Sequence, residues 1–511
     1  MAKQFVNVRH LGFQYSSSPA PLFDDLNVHF EPGFTGVVGA NGSGKSTLLQ
    51  LLSGDLALDS GQITGVDDLI HCDQRTDTPP EMLESFLEDD DGQAYALRGR
   101  LGIECDFLAR WPTLSHGERK RAQIGTALWQ APSVLTIDEP TNHIDGDARA
   151  LLLESLKRFR GVGIIVSHDR ELLDELCRHT LWLDGQPKLI PGGYSKAKEQ
   201  RALDRQTIIH ERESLRKSQQ TLNAEVSRRK DKAAQADKKN SKSGIDKKDH
   251  DAKGRINRAR LTGKDGEAGR LLSQLSGRKQ QMEDRMTELQ VTKEREVSFW
   301  LKGTKAKRNL LIETEPLSIP IGEYRSLTTP ELRMKADEHV AITGANGLGK
   351  STLLNRLMPD VNVPAERLLY MPQEISAEQS RIILRDIKEL PKSELGKLMI
   401  IVSSLGSDPK SLLRTELPSP GQVRKLMLAL GISRDPWLIV MDEPTNHLDL
   451  PSIEALENAL ASCPCGLLLV SHDQNFLGNL ATTYWHLAEV AEGSRLEIRE
   501  ADPGQDRLRP L

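Results

Sequence analysis

The 511-residue chain is poor in aromatic residues, only 4% of its composition, and holds just five cysteines. No stretch approaches the roughly 18–20 consecutive apolar residues that a bilayer-spanning helix needs. The N-terminal MAKQFVNVRHLGF lacks the apolar core of a secretory signal. Cys72, Cys105, Cys177, Cys463 and Cys465 are odd in number and scattered, which argues against a disulfide framework or an iron–sulfur cluster. Cys463 and Cys465 flank one proline, and with no further ligands nearby this C-P-C pair reads as incidental rather than as a metal site. What remains is 38% hydrophobic and 28% charged, and long enough for two or three domains that each bury a core. It reads as a globular cytoplasmic protein.

Residues 39–47 read GANGSGKST, and residues 344–352 read GANGLGKST. Both match G-x-x-x-x-G-K-[ST], follow a short β-rich run and precede a Leu-Leu helical pattern, the context of a phosphate-binding loop. The candidate nucleotide-binding residues are Gly39, Asn41, Gly42, Gly44, Lys45, Ser46 and Thr47, and then Gly344, Asn346, Gly347, Gly349, Lys350, Ser351 and Thr352. Glycines let backbone N–H groups close on phosphates, and the helix N-terminus adds its positive dipole end. Lys45 and Lys350 are placed to reach the β- and γ-phosphates of ATP, and Ser46 and Ser351 to ligate Mg²⁺.

The match opens a wider repeat. VLTIDEPTNHID at 134–145 pairs with LIVMDEPTNHLD at 438–449, and IIVSHDR at 164–170 pairs with LLVSHDQ at 468–474. Lys45 and Lys350 are 305 residues apart; Asp138 and Asp442, like His168 and His472, are 304 apart. Three motifs holding one offset to within a residue mean two homologous α/β domains. An Asp-Glu pair ending a β-run puts two carboxylates where α/β sheets bind ligands. Asp138 and Asp442 are expected to hold Mg²⁺ through its water shell, and Glu139 and Glu443 to orient or deprotonate the attacking water. The bland alternative, an acidic strand end capping a helix, does not explain why Pro-Thr-Asn-His repeats as well. His168 and His472 both end apolar strands, which suits a γ-phosphate contact.

LSHGERKR at 114–121 resembles the signature motif of the ATP-binding cassette superfamily, and PSPGQVRK at 418–425 is its counterpart. The resemblance implies two cassettes packed head to tail. Ser115, Gly117 and Glu118 would face the ATP held by Lys350, and Ser419, Gly421 and Gln422 the ATP held by Lys45. Gln74 and Gln373 match the cassette glutamine that senses Mg²⁺ and the γ-phosphate. Tyr15 stands where an adenine-stacking aromatic is expected, with Tyr324 its candidate counterpart. Pro418 and Pro420 depart from the usual signature. Proline is tolerated at a helix start, but the Lys45 site is expected to hydrolyse more slowly than the other.

Two fused cassettes with EPTNH after each Asp-Glu strand resemble the ABC-F group, soluble proteins that act on ribosomes. PGGYSKAKEQR at 191–201 is similar to that group's exit from cassette one into its linker. The expected organisation is cassette one over 1–194, a basic helical linker over 195–308 and cassette two over 309–511. Residues 196–308 carry 31 Lys and Arg against 17 Asp and Glu, while the rest of the chain carries 37 against 56. Ile208, Leu215 and Leu222, then Leu275, Met282 and Leu289, recur at seven-residue spacing. That pattern predicts an antiparallel helical hairpin with its tip near 240–268, around the basic KKDHDAKGRINRAR of 247–260. Such charge segregation favours nucleic-acid phosphate; the alternative is a solvated helix pair that only spaces the cassettes.

The resemblance implies a monomer with intramolecular cassette pairing, bound to the ribosome near the tRNA exit site, its linker on rRNA and tRNA backbone. It would serve as a translation factor or protect the ribosome from an antibiotic. The 41 residues from Gln74 to Ser115 and the 46 from Gln373 to Ser419 leave little room for the arm insertion of some relatives. The chain also stops soon after cassette two, without a long basic tail. From another class, the ATP-hydrolysing subunit of a transporter with separate membrane subunits stays open. A DNA-repair cassette ATPase is disfavoured, because zinc cysteines and very long coiled coils are missing.

Overall fold

The computed structural model describes residues 5–16, 18–142, 144–239, 264–288, 306–322, 325–407, 412, 418–446, 448–491, 493–500 and 509–510. Tyr324, Leu289 and the basic stretch 247–260 lie outside them. The chain forms two compact units, one of Met1–Ala197 with Arg295–Leu511 and one of Lys198–Glu294. Both repeats of the sequence fall in the first unit.

The first repeat runs β1 (Val6–Phe13), β2 (Phe23–Phe30), β3 (Gly33–Val38), α1 (Lys45–Ser53), β4 (Ser60–Thr64), β5 (Leu69–Cys72), α2 (Leu83–Glu88), α3 (Gly92–Leu101) and α4 (His116–Trp129). It continues through β6 (Val134–Asp138), α5 (Gly146–Leu156), β7 (Val162–Val166), α6 (Arg170–Leu176), β8 (Cys177–Trp182) and β9 (Lys188–Pro191). A three-stranded antiparallel sheet has the order β2-β1-β4, and a six-stranded sheet the order β5-β6-β7-β3-β8-β9. Only β9 is antiparallel in the larger sheet. VLTID of β6 and VGIIV of β7 are buried at every position, as parallel strands covered on both faces must be. Helices supply the cover: Leu152, Leu153 and Leu156 of α5 and Leu172, Leu173 and Leu176 of α6 join the same apolar core as Ile137 and Ile165.

In the second unit stand α7 (Tyr194–Lys239), which begins in the first unit, and α8 (Lys264–Glu288). Gln219 donates to Glu283 at 3.4 Å and Arg285 to Glu211 at 3.0 Å. As α7 runs forward from 211 to 219, its partner residues step back from 285 to 283, so the two helices run antiparallel.

The second repeat follows as β10 (Leu310–Thr314), β11 (Leu317–Ile321), β12 (Arg325–Thr329), β13 (Leu332–Lys335), β14 (His339–Thr343), α9 (Lys350–Leu357), β15 (Leu368–Met371), α10 (Ala377–Glu389) and α11 (Lys392–Ser404). Then come α12 (Pro420–Ser433), β16 (Leu438–Asp442), α13 (Leu450–Ala461), β17 (Gly466–Val470), α14 (Gln474–Leu480), β18 (Thr483–Val490), β19 (Gly493–Glu500) and β20 (Arg509–Pro510). Its large sheet has the order β11-β12-β19-β18-β14-β17-β16-β15, with β20 beside β19, and β10 pairs with β13. The neighbour sequence β16-β17-β14 repeats β6-β7-β3, so the offset read in the sequence is an offset in topology. One expectation fails here. Cys463 and Cys465, read as incidental, are joined as a disulfide in the turn between α13 and β17.

Candidate functional site

Strands β6, β7 and β3 lie side by side and parallel, so their carboxyl ends bring three motifs to one edge. β3 leads into the Gly39–Thr47 loop, β6 ends at Asp138 and β7 leads to His168. β14, β16 and β17 do the same for Gly344–Thr352, Asp442 and His472. Gly44 and Gly349 cap α1 and α9 at φ of 94° and 93°. A side chain there would be strained, and a Cβ would lie 2.6 Å from Phe23 or 2.5 Å from Ile321. The lysines fold onto their own loops: Lys45 donates to the carbonyls of Gly39 at 2.9 Å and Ala40 at 3.1 Å, and Lys350 to those of Gly344 at 2.8 Å and Ala345 at 3.0 Å.

The carboxylates are buried and only partly satisfied. Asp138 bonds to the Ser46 hydroxyl and Asp442 to that of Ser351. Asp138 Oδ1 and Asp442 Oδ1 are buried without a hydrogen-bond partner. Burial raises both pKa values. Glu139 is pushed up to about 8 by burial and by Asp138 beside it. Glu443 is pushed up to about 8 by burial, against the pull of Lys350 and with a push from Asp442. His168 Nε2 lies 3.2 Å from Glu139 Oε1, and its backbone N–H donates to Glu139 Oε2 at 3.2 Å. His472 Nε2 lies 3.0 Å from Asn346 Oδ1 and 3.6 Å from Glu443 Oε1. Burial and the nearby lysines depress these imidazoles, to about 3 for His168 and about 4 for His472. Among the described residues no cluster of three His, Cys, Asp or Glu could hold a metal. Mg²⁺ at phosphates needs less, one or two protein oxygens with the rest from phosphate and water. The Ser-Asp pairs with their unpartnered oxygens fit it.

The signatures begin helices. Ser115 caps α4 in a reciprocal box with Glu118, and Ser419 caps α12 in the same box with Gln422. The S-x-x-E/Q spacing thus satisfies the first turn of each helix, with Gly117 and Gly421 inside it. Pro420 sits at the first helical position, where its missing N–H costs nothing. A cavity of about 680 Å³ is lined by Ser115 and His116 together with Gly347, Gly349, Lys350, Ser351, Thr352, Gln373 and Glu443. The first signature therefore shares a space with the second phosphate loop. Ser419, Gly421 and Gln422 do not line that cavity. Gln74 is exposed just beyond β5. Tyr15 is 40% exposed, its hydroxyl 2.9 Å from that of Thr47.

Sequence reasoning missed the residues that join the halves. Asp449 Oδ2 accepts from the backbone N–H of Asn41 at 2.7 Å, and Asp145 Oδ2 from that of Asn346 at 3.3 Å. Each aspartate also caps the helix it precedes, α13 or α5. The signal was present, since both close the repeated EPTNH-x-D at an offset of 304. The two ties are unequal. Asp449 is buried 3.6 Å from the equally buried Lys425, whereas Arg121, at Lys425's place in the repeat, bonds to the carbonyls of Leu101 and Gly102. Burial opposes ionisation of Asp449, but Lys425, Ser452 and the Asn41 amide together hold its pKa down.

A family model described as ABC transporter matches residues 23–142 and 327–404. The chain is 30% identical over 492 residues to the ATP-binding protein Uup of Caulobacter vibrioides, across 91% of this chain and 74% of that protein. The chain belongs to the ABC-F group. This ABC-F ATPase is also 28% identical over 499 residues to the ribosome protection protein VmlR of Bacillus subtilis, across 93% of this chain and 85% of VmlR. Among solved structures, the archaeal ribosome recycling factor aABCE1 aligns with a TM-score of 0.61 at 18% identity, over 98% of this chain and 95% of that one. The RNase-L Inhibitor aligns with a TM-score of 0.59, also at 18% identity, over 96% and 90%. These two are likenesses of fold. Among the described residues of the ABC-F chain, no helix is long and apolar enough to cross a membrane.

Proposed function

We propose that this ABC-F ATPase is a cytoplasmic protein that binds the ribosome near the tRNA exit site and acts on translation, as a translation factor or by antibiotic ribosome protection. The observation that carries this reading is the basic insert, with 31 Lys and Arg against 17 Asp and Glu, set between two cassettes of the opposite balance. An end-to-end relative named for ribosome protection supports it. The chain works as a monomer, its two cassettes paired intramolecularly.

Two MgATP molecules are held between the cassettes. Lys45 and Lys350 leave their loop carbonyls for phosphate oxygens, and the Gly39–Thr47 and Gly344–Thr352 amides cradle the rest. Ser46, Asp138 and Gln74 at one site, and Ser351, Asp442 and Gln373 at the other, would hold Mg²⁺, which when bound would supply neutralisation of phosphate charge. Glu139 and Glu443, in their ionised form, orient or deprotonate the attacking water, and the neutral imidazoles of His168 and His472 bond to the γ-phosphate. Ser115, Gly117 and Glu118 close on the ATP of Lys350, and Ser419, Gly421 and Gln422 on that of Lys45. ATP binding draws the cassettes together, and hydrolysis releases them.

Glu139→Gln with Glu443→Gln keeps shape and metal ligands but removes the base, so the closed state persists. Sucrose-gradient sedimentation of lysate should place this variant with ribosomes in an ATP-dependent manner. Sedimentation with membranes would favour a transporter subunit instead, and protein left at the top of the gradient despite bound ATP would refute the ribosomal reading.

A further inference from the structure

Each signature helix carries a buried cation that the hydrolysis mechanism does not use. Lys120 on α4 is fully buried, and its ammonium donates to the carbonyls of Asp73 and Asp138, the latter at 3.0 Å. Its counterpart at offset 304 is Arg424 on α12, 2% exposed, which donates to the carbonyls of Glu443 at 3.0 Å and of Gln373. Among the described residues neither forms an ion pair with a carboxylate. A buried cation whose hydrogen bonds all go to carbonyls, with carboxylates near it but unpaired, is a costly way to fill a core that an apolar side chain of similar length would fill. Yet both cassettes keep one, and they keep it with different residues. The forked guanidinium even reaches one residue further along both acceptor segments than the ammonium does. What recurs is the link, not the side chain.

The link joins three working parts. Asp73 precedes Gln74, the carbonyl of Asp138 is the peptide leading to Glu139, and α4 begins at Ser115, five residues before Lys120. Gln74 and Glu139 serve the ATP of Lys45, while Ser115 shares a cavity with Lys350 of the other site. We infer that Lys120 and Arg424 are positioning residues that transmit ATP occupancy of one site to the signature helix closing on the other. A shift at the Gln74 or Glu139 peptide moves the ammonium, and the ammonium moves α4. Arg424 does the same in the opposite direction. The two sites thereby bind ATP cooperatively.

This inference rests on the proposed facing of signature and phosphate loop, and the test separates the two. In the Glu139→Gln/Glu443→Gln chain, binding of a fluorescent ATP analogue reads occupancy without turnover. The parent should bind with a Hill coefficient clearly above 1. Lys120→Met with Arg424→Met should bring it to about 1, with the chain still folded by circular dichroism. Lys120→Arg should keep the parent value, because Arg424 makes the corresponding link in the other cassette, one residue further along each segment. If the methionine pair does not fold, Lys120→Gln alone in the same chain should lower the coefficient while Lys120→Arg does not. A folded methionine or glutamine variant with the parent's coefficient overturns the inference. A parent with two independent sites overturns the facing arrangement itself.

Discussion

Glu139 and Glu443 hold backbone conformations that non-glycine residues rarely adopt, with φ of 47° and 50°. Such geometry costs on the order of 1–3 kcal/mol and persists only where the surroundings over-determine it. Here the strand next door does so, since the N–H of Glu139 donates to Val166 at 2.9 Å and that of Glu443 to Val470 at 2.8 Å. The bend turns each carboxyl into a buried site beside an aspartate, which pushes both pKa values from 4.5 to about 8. The sign of the consequence follows. In the nucleotide-free folded chain both groups hold their protons up to about pH 8 but ionise near 4.5 when unfolded, so unfolding releases protons and stability falls as pH rises from about 4.5 toward 8. Glutamine has no proton to lose. We predict that the nucleotide-free Glu139→Gln/Glu443→Gln chain melts a few degrees above the parent at pH 8, and that the gap closes by pH 5. Thermal melts at both pH values check this. A parent that gains stability relative to the variant between pH 5 and 8 would contradict the assigned direction.

Helix α13 grips the other cassette at three points. Its cap Asp449 holds Asn41, Glu454 accepts from the Tyr194 hydroxyl at 2.9 Å, and Glu457 pairs with Arg170 at 2.7 Å. Tyr194 is the first residue of α7. At the corresponding places in the repeat, α5 has Ala150 and Leu153, and Gln474 stands opposite Arg170, so no equivalent ion pair can form in reverse. We predict that Arg170→Met and Glu457→Leu each raise the ATP concentration for half-maximal hydrolysis about tenfold. Tenfold corresponds to about 1.4 kcal/mol, the low end of what a hydrogen bond between charged groups contributes. The double variant should be no worse than the worse single, and additive effects would show that the two residues do not act as a pair. This grip also marks where sequence reading stops. Phosphate loops, Asp-Glu strand ends and the histidines were legible because backbone geometry demands those residue types at those spacings. The Asp145 and Asp449 ties were legible only as repetition, since an aspartate before a helix already has a sufficient role as its cap. Lys120, Arg424 and Arg170 stand inside the repeated motifs, yet nothing in those motifs marks the bonds they make. Their chemistry exists only once segments tens to hundreds of residues apart are folded together. The Cys463–Cys465 disulfide was missed for the opposite reason, because an odd, scattered set of cysteines argued against a disulfide framework.

At the scale of the whole molecule, charge is segregated: residues 196–308 carry a net +14 within a chain of net −5, leaving −19 for everything else. A helix pair that merely spaced the cassettes would need solubility, which either sign of charge supplies. It would not need one sign concentrated in one segment. Phosphate binding does need that, because each neutralised phosphate releases condensed counterions and makes affinity depend on salt. Lys247, Lys248, Lys253, Arg255, Arg258 and Arg260 form a basic cluster near the middle of the segment. In the sequence they stand between the two repeats, outside every phosphate-loop and Asp-Glu motif. Changing all six to Gln should therefore leave ribosome-free ATPase close to the parent value. Ribosome affinity should be measured for the Glu139→Gln/Glu443→Gln chain with ATP, from low to physiological salt, with and without the six changes. Each phosphate contact contributes roughly 0.7–0.9 to the slope of log affinity against log salt. If about half of the six make contact, the slope becomes shallower by roughly two to three units. An unchanged slope would make the segment a solvated spacer. Lost ATPase with an unchanged slope would instead assign it to coupling between the cassettes. A shallower slope with hydrolysis intact is the outcome that ties the basic segment to nucleic-acid phosphate and leaves ATP turnover to the cassettes.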